Sequence, residues 1–153
     1  MSELKEVEIL LVEDSPLDAE MTLRALRNRN LGNRVVHVKD GQEALDWIFC
    51  RGQYEQRAAN QYPKVVLLDL KMPKVDGLEV LQVLRSDERT RTLPVVIMTS
   101  SQEQSDLVAT YKSGVNSYIV KPLEFDAFSA AVAELGQYWL LLNKAPNPEV
   151  GKL

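Results

Sequence analysis

The chain has 153 residues, 45% of them hydrophobic and 26% charged, with a single Cys; this is enough for about one domain and leaves no room for a second of ordinary size. Eighteen Lys and Arg against 22 Asp and Glu give a net charge of −4, so there is no basic field to capture a phosphate backbone and no nucleic-acid partner is expected. Cys50 alone cannot close an internal disulfide, residues 1–8 carry three Glu and no apolar targeting run, and no apolar stretch approaches the ~20 residues of a membrane span, which together predict a cytoplasmic protein with no membrane partner.

Residues 7–12 (VEILLV) read as a buried strand that ends on Glu13-Asp14. Ser15-Pro16 offers an N-cap with Pro in the first helical position, and Leu17, Met21, Leu23 and Leu26 recur at helical spacing as far as Asn28. Residues 34–38 (RVVHV) form a second strand, with His37 placed away from the acidic strand ends. After the Asp40-Gly41 turn, Ala44, Leu45, Ile48 and Phe49 define the inner face of a second helix, with Trp47 and Cys50 as packing residues. A polar connection over 51–62 is longer than the ~2 to 6 residues usual between a helix and the next strand.

The third strand, 64–69 (KVVLLD), ends on a carboxylate and precedes Pro73, Asp76-Gly77 and the helical set Leu78, Val80, Leu81 and Leu84. The fourth, 94–98 (PVVIM), ends in Thr99-Ser100-Ser101; residues 102–113 predict a largely polar helix with Leu107, Val108 and Tyr111 as its apolar side. Residues 117–120 (SYIV) are the fifth strand, closed by Lys121-Pro122, and a last helix is expected from about 124 to 142. Continuous apolar strands alternating with helices specify an α/β fold: a doubly wound, five-stranded parallel sheet with helices on both faces, flavodoxin-like in topology.

Ligands of open α/β sheets sit beyond the carboxyl ends of the strands. Those ends carry Glu13, Asp14, Asp69, Thr99 and Lys121. Two carboxylates 4 Å apart repel by roughly 4 kcal/mol at an effective dielectric near 20, so three together call for a cation or a proton. Mg²⁺, which takes oxygen ligands in octahedral geometry and commonly bridges carboxylates to phosphate, meets that demand, as does Mn²⁺. A carboxylate beside a metal, a hydroxyl and an ammonium has the parts needed to accept a phosphoryl group.

The set Glu13-Asp14, Asp69 with Met72-Pro73 and Asp76-Gly77, Thr99, and Lys121-Pro122 resembles the receiver domain of two-component response regulators over residues 7 to about 135. The resemblance implies that Asp69 is the phosphoryl acceptor, that Asp14, Asp69 and the carbonyl of Lys71 bind Mg²⁺ or Mn²⁺ with Glu13 acting through water, and that Thr99 and Lys121 hold the phosphoryl group. It implies that Tyr118 is an aromatic switch coupled to the Thr99 loop, that Lys71 and Ser101 tune the phosphoryl lifetime, and that the Lys121–Pro122 bond is cis. The implied partner is a histidine kinase, and the protein is expected to turn over no external substrate.

The last helix carries Phe125, Phe128, Val132, Leu135, Trp139 and Leu142 at 3,4,3,4,3 spacing, one stripe suited to covering the sheet. Tyr138, Trp139, Leu140, Leu141 and Leu142 are apolar all round the helix, and such a turn needs a cover. These five residues are therefore the expected interface of a homodimer, continuous with the faces of the fourth helix, fifth strand and fifth helix. The expected layout is a receiver over 1–142 with an extended tail over 143–153. Gly136, Tyr138-Trp139, Asn143 and the proline-bearing end resemble stand-alone response regulators paired with cyanobacterial phytochrome kinases.

Other functions fit less well. Aspartyl-phosphate phosphatases and phosphotransferases carry a second Asp two residues after the nucleophile, where this chain has Lys71. A flavodoxin-like carrier needs a Gly- and hydroxyl-rich phosphate loop after the first strand, where Glu13-Asp14 repels phosphate. A scaffold receiver without phosphorylation would not need the intact five-residue set.

Overall fold

The computed structural model describes residues 7–31, 34–58 and 61–144. Five strands, β1 (Ile9–Val12), β2 (Val35–Val38), β3 (Val65–Leu68), β4 (Val95–Thr99) and β5 (Ser117–Val120), form one sheet in the order β2-β1-β3-β4-β5. All neighbours are parallel, Leu10 standing opposite Val36 and Val66, and Ile97 opposite Tyr118. The continuous apolar strands are explained by burial on both faces. Leu10, Val12, Val66, Leu68, Val95 and Ile97 join one core cluster, and their sequence neighbours Ile9, Leu11, Val65, Leu67, Val96 and Met98 join a second.

Helices α1 (Pro16–Asn28) and α5 (Phe125–Gln137) cover the second cluster and contact each other; α2 (Gly41–Ile48) and α3 (Gly77–Ser86) lie against the other face, with α4 (Gln104–Lys112) beside α3. Three helices start on matched caps, with Ser15, Asp40 and Asp76 accepting from the backbone N–H of Asp18, Glu43 and Glu79. Each cap follows a strand end, so the polar residues that start helices gather at the same edge as those that end strands.

Three helical faces differ from the sequence expectation. In α1 the buried residues are Ala19, Thr22, Ala25 and Leu26, while Leu17 is exposed; small side chains let α1 sit close to the sheet and to α5. In α4 only Thr110 is fully buried among the described residues, and Val108 and Tyr111 face solvent, Tyr111 at 54% exposure. The expected apolar side of α4 is thus a surface.

In the last helix the stripe holds through Phe128, Val132 and Leu135, then ends, because Tyr138–Leu142 is a π-helical turn closed by the Asn143 N–H on the Tyr138 carbonyl at 2.6 Å. The wider turn shifts the phase, leaving Leu142 75% exposed and placing Leu140, 6% exposed, in the core. Phe125, at the other end of the stripe, is also exposed. The five-residue apolar run therefore divides: Leu140 is buried, Trp139 packs partly against the second cluster with its ring edge-on to Tyr138, and Tyr138, Leu141 and Leu142 face outward.

The long connection before β3 opens with a 3-10 turn, Gly52–Tyr54. Arg57 fastens it: its guanidinium lies 3.5 Å over the buried Trp47 ring and donates to the carbonyls of Trp47 and Gln61. Cys50, expected in the core, is only partly buried, in the left-handed region at φ 55°, with Arg57 Nη1 3.1 Å from its sulfur. Residues 145–153, most of the expected extended tail, lie outside the described residues; Asn143 itself has extended backbone angles.

Candidate functional site

β1 and β3 are adjacent and in register, Val12 opposite Leu68, so the residues that follow them leave the sheet side by side. The Asp69 N–H donates to the Val12 carbonyl at 3.0 Å, and carboxylate oxygens of Glu13, Asp14 and Asp69 all lie within 4.8 Å of one another. Glu13 and Asp69 are buried and Asp14 is exposed, which leaves one side of the trio open to solvent. Three carboxylate oxygens at this separation fit a divalent cation with oxygen ligands that keeps some of its water.

Gly77 fixes the loop behind Asp69. Its N–H donates to the Leu70 carbonyl, and a Cβ on it would stand 2.2 Å from the Asp69 carbonyl oxygen, closer than any side chain tolerates. The motif Asp76-Gly77 thus supplies both the cap of α3 and the space in which the Asp69 backbone turns.

Lys121 arrives from the far side. Its N–H donates to the Thr99 carbonyl at 2.7 Å, extending the β4–β5 ladder, and its side chain reaches across β3 to β1. Nζ lies 2.7 Å from Glu13 Oε1, 2.8 Å from Asp18 Oδ2 and 3.6 Å from Asp69 Oδ2. Burial on its own would lower the Lys121 pKa, but hydrogen bonds to Asp18 and Glu13 outweigh it and hold the ammonium above its ordinary value. Burial pushes Glu13 up to about 7 against the pull of the Lys121 hydrogen bond, and the negative Asp69 adds to the rise.

Thr99 is fully buried, and its Oγ1 accepts the Ser101 N–H at 3.3 Å. The Ser101 carbonyl accepts from the half-buried Tyr118 hydroxyl at 3.0 Å, and the Ser101 hydroxyl donates to Asp106 Oδ2 at 2.6 Å. Lys71 Nζ stands 3.2 Å from the same carboxylate oxygen. The hydroxyl of Ser101, followed by Lys71, holds Asp106 below the usual carboxylate range.

A model of the response regulator receiver domain matches residues 9–133. The chain belongs to that family. The receiver is 40% identical over 140 residues, 92% of its length and 88% of the other, to the probable methanogenesis regulatory protein FilR2 of Methanothrix harundinacea. It resembles the solved bacteriophytochrome response regulator RtBRR at 50% identity and a TM-score of 0.73, over 95% of this chain and 87% of that one. It also resembles the phosphorylated cyanobacterial phytochrome response regulator RcpA at 33% identity and a TM-score of 0.85, over 92% and 99%.

In this receiver the sequence-predicted residues Glu13, Asp14, Asp69, Thr99 and Lys121 gather at one edge, and Tyr118 reaches the Thr99 loop through Ser101. Two expectations need correction. The described residues contain no cis peptide bond, so Lys121–Pro122 is trans; Lys121 is aimed inward by its backbone bond to Thr99 and its ion pairs. His37 is not remote from the acidic edge: Nε2 lies 2.8 Å from the Glu13 carbonyl oxygen, which can only accept, so Nε2 carries the proton. Asp18 and Asp106 were missed. Both read as acidic first-turn residues of helices, an ordinary complement to the helix dipole, and only the strand order shows that one helix start faces Lys121 and the other Lys71. No described helix is long and apolar enough to cross a membrane.

Proposed function

We propose that this receiver takes a phosphoryl group from the phosphohistidine of a histidine kinase onto Asp69. A carboxylate oxygen of Asp69 attacks phosphorus, forming the O–P bond. The N–P bond breaks and its electron pair stays on that imidazole nitrogen as a lone pair, so a phosphohistidine protonated on its other ring nitrogen leaves as neutral imidazole. The observation that carries this reading is the convergence of the Glu13, Asp14 and Asp69 oxygens within 4.8 Å, with an ammonium 3.6 Å from Asp69.

Asp14, Asp69 and the Lys71 carbonyl are the proposed direct ligands of Mg²⁺ or Mn²⁺, with Glu13 acting through water. Bound there, the ion neutralises charge on the phosphoryl oxygens. Thr99 and Lys121 take the remaining oxygens, and Tyr118 carries the change to the surface. The chain's own aspartate is consumed and regenerated, so no external substrate is turned over.

The kinase is proposed to be of the phytochrome type, supported by the likeness to RcpA and RtBRR; FilR2, at 40% identity, is named for methanogenesis regulation and not for a phytochrome. Phosphotransfer from a phytochrome-type kinase and from a histidine kinase without a phytochrome sensor, compared at equal concentration, tests this. Output is proposed through a homodimer whose contact includes the exposed Tyr138, Leu141 and Leu142, with Trp139 at its margin; Leu140 belongs to the fold. Incubation with a small-molecule phosphodonor and Mg²⁺, followed by intact mass, tests the central assignment. A phosphate-sized adduct is expected on the wild-type chain and not on Asp69→Asn; an equal adduct on both refutes it.

A further inference from the structure

Lys121 is nearer to Asp18 than to the proposed acceptor. Its ammonium sits between Glu13 Oε1 at 2.7 Å and Asp18 Oδ2 at 2.8 Å, with Asp69 Oδ2 at 3.6 Å. Asp18 is well held for such a contact. Its N–H is bonded to the Ser15 hydroxyl, its carbonyl accepts the Thr22 hydroxyl at 2.8 Å, and the Ser15 N–H donates to Glu13 Oε2. The two carboxylates that grip Lys121 therefore belong to one β1–α1 frame, while the lysine comes from β5. The oxygens that converge as a cation site are those of Glu13, Asp14 and Asp69, and Asp18 is not among them.

A cation bound at Asp69 and an ammonium close to Asp69 compete for the same oxygens, and two positive charges at short range repel. A third carboxylate outside the trio, 2.8 Å from the ammonium, relieves that competition. We infer that Asp18 is a positioning residue that parks Lys121 away from Asp69 until a phosphoryl group draws it across. The inference rests on the proposed reading of the site as a divalent-ion-assisted phosphoryl acceptor. It gives Lys121 a holding partner, Asp18 at 2.8 Å, besides the acceptor Asp69 at 3.6 Å. The geometry predicts that Asp18 acts on the cation site through Lys121 and not as a further negative charge.

A double-mutant cycle read by Mg²⁺ titration calorimetry decides this without any phosphorylation. In the wild-type background, Asp18→Ala should weaken Mg²⁺ binding by roughly fivefold, because the freed ammonium moves onto Asp69. In the Lys121→Gln background the same substitution should change the affinity by less than about twofold. A loss of equal size in both backgrounds makes Asp18 a simple nearby charge and overturns the inference. So does an unchanged or tighter affinity in Asp18→Ala alone. Asp18 contributes to the α1 start through its backbone, and thermal melts of all four proteins confirm that each is folded when titrated. Where Lys121→Gln does not fold, the ¹³Cε shift of Lys121 in selectively labelled protein replaces the cycle: Asp18→Ala must move it in the metal-free state, and an unmoved signal overturns the inference. A folded wild-type chain that binds no Mg²⁺ refutes the proposed function itself, a result distinct from a cycle that fails while the wild type binds.

Discussion

The Tyr118 hydroxyl donates to the Ser101 carbonyl at 3.0 Å, and this bond joins β5 to the loop that begins at Thr99. Ser101 is occupied on all sides: its N–H by Thr99, its carbonyl by Tyr118 and its hydroxyl by Asp106. A phosphoryl oxygen would accept the Thr99 O–H while Thr99 Oγ1 still accepts the Ser101 N–H, so a shift of Thr99 toward the phosphoryl group pulls on Ser101, and Tyr118 and Asp106 both feel the displacement. Tyr118→Phe should cost about 1 kcal/mol in urea-induced unfolding, the usual net value of one partly buried hydrogen bond. It should also shrink the phosphorylation-dependent amide shifts in α4. Full-sized α4 shifts in the variant would remove Tyr118 from the relay.

Asp106 links Lys71, two residues after Asp69, to Ser101, two after Thr99. Lys71 is mostly exposed, so the ion pair adds little to stability. Asp106→Ala should therefore shift the unfolding midpoint only slightly while changing the lifetime of the phosphorylated protein several-fold, because both loops over the site are released. An unchanged lifetime, measured by the decay of the phosphorylated mass, would reduce Asp106 to a helix-start residue.

Arg85 performs structural work at the opposite end of the sheet. It donates to the carbonyls of Gly114 and Leu93 and to the Asn116 side chain, whose oxygen also receives the Val95 N–H. Arg85→Ala should destabilise the fold by on the order of 2 kcal/mol, since several charge-assisted bonds are lost together. Mg²⁺ affinity should stay unchanged, and a variant that loses Mg²⁺ binding while remaining folded would contradict this separation.

The π-helical turn divides neighbouring leucines between two roles. Leu140→Ala should lower stability by about 2–4 kcal/mol as a core truncation. Leu141→Glu with Leu142→Glu should leave stability nearly unchanged and dissociate the proposed dimer in sedimentation velocity. A dimer that survives the double substitution would place the interface elsewhere.

The central strands β1, β3 and β4 were legible because each is an unbroken apolar run that ends on polar residues, and the acidic edge was legible because the strand ends name it. The helix faces were less so. Ala19 and Ala25 carry too little hydrophobicity to outweigh Leu17 in a periodicity count, yet close packing of α1 requires small residues there. The exchange of Leu142 for Leu140 follows from i to i+5 hydrogen bonding, as from the Asn143 N–H to the Tyr138 carbonyl, which no 3.6-residue pattern anticipates. Asp18 was hidden for a different reason: 103 residues separate it from Lys121, and their contact exists only once β1, β3 and β5 are ordered in the sheet.

The central claim is that Asp69 carries the phosphoryl group, and the direct measurement is chemical trapping. Borohydride reduces an acyl phosphate to the alcohol, converting a phosphorylated aspartate to homoserine, which tandem mass spectrometry locates. After incubation with phosphodonor and Mg²⁺, the account predicts homoserine at position 69, lost when Mg²⁺ is chelated. Homoserine at position 14, or at any position other than 69, would contradict it.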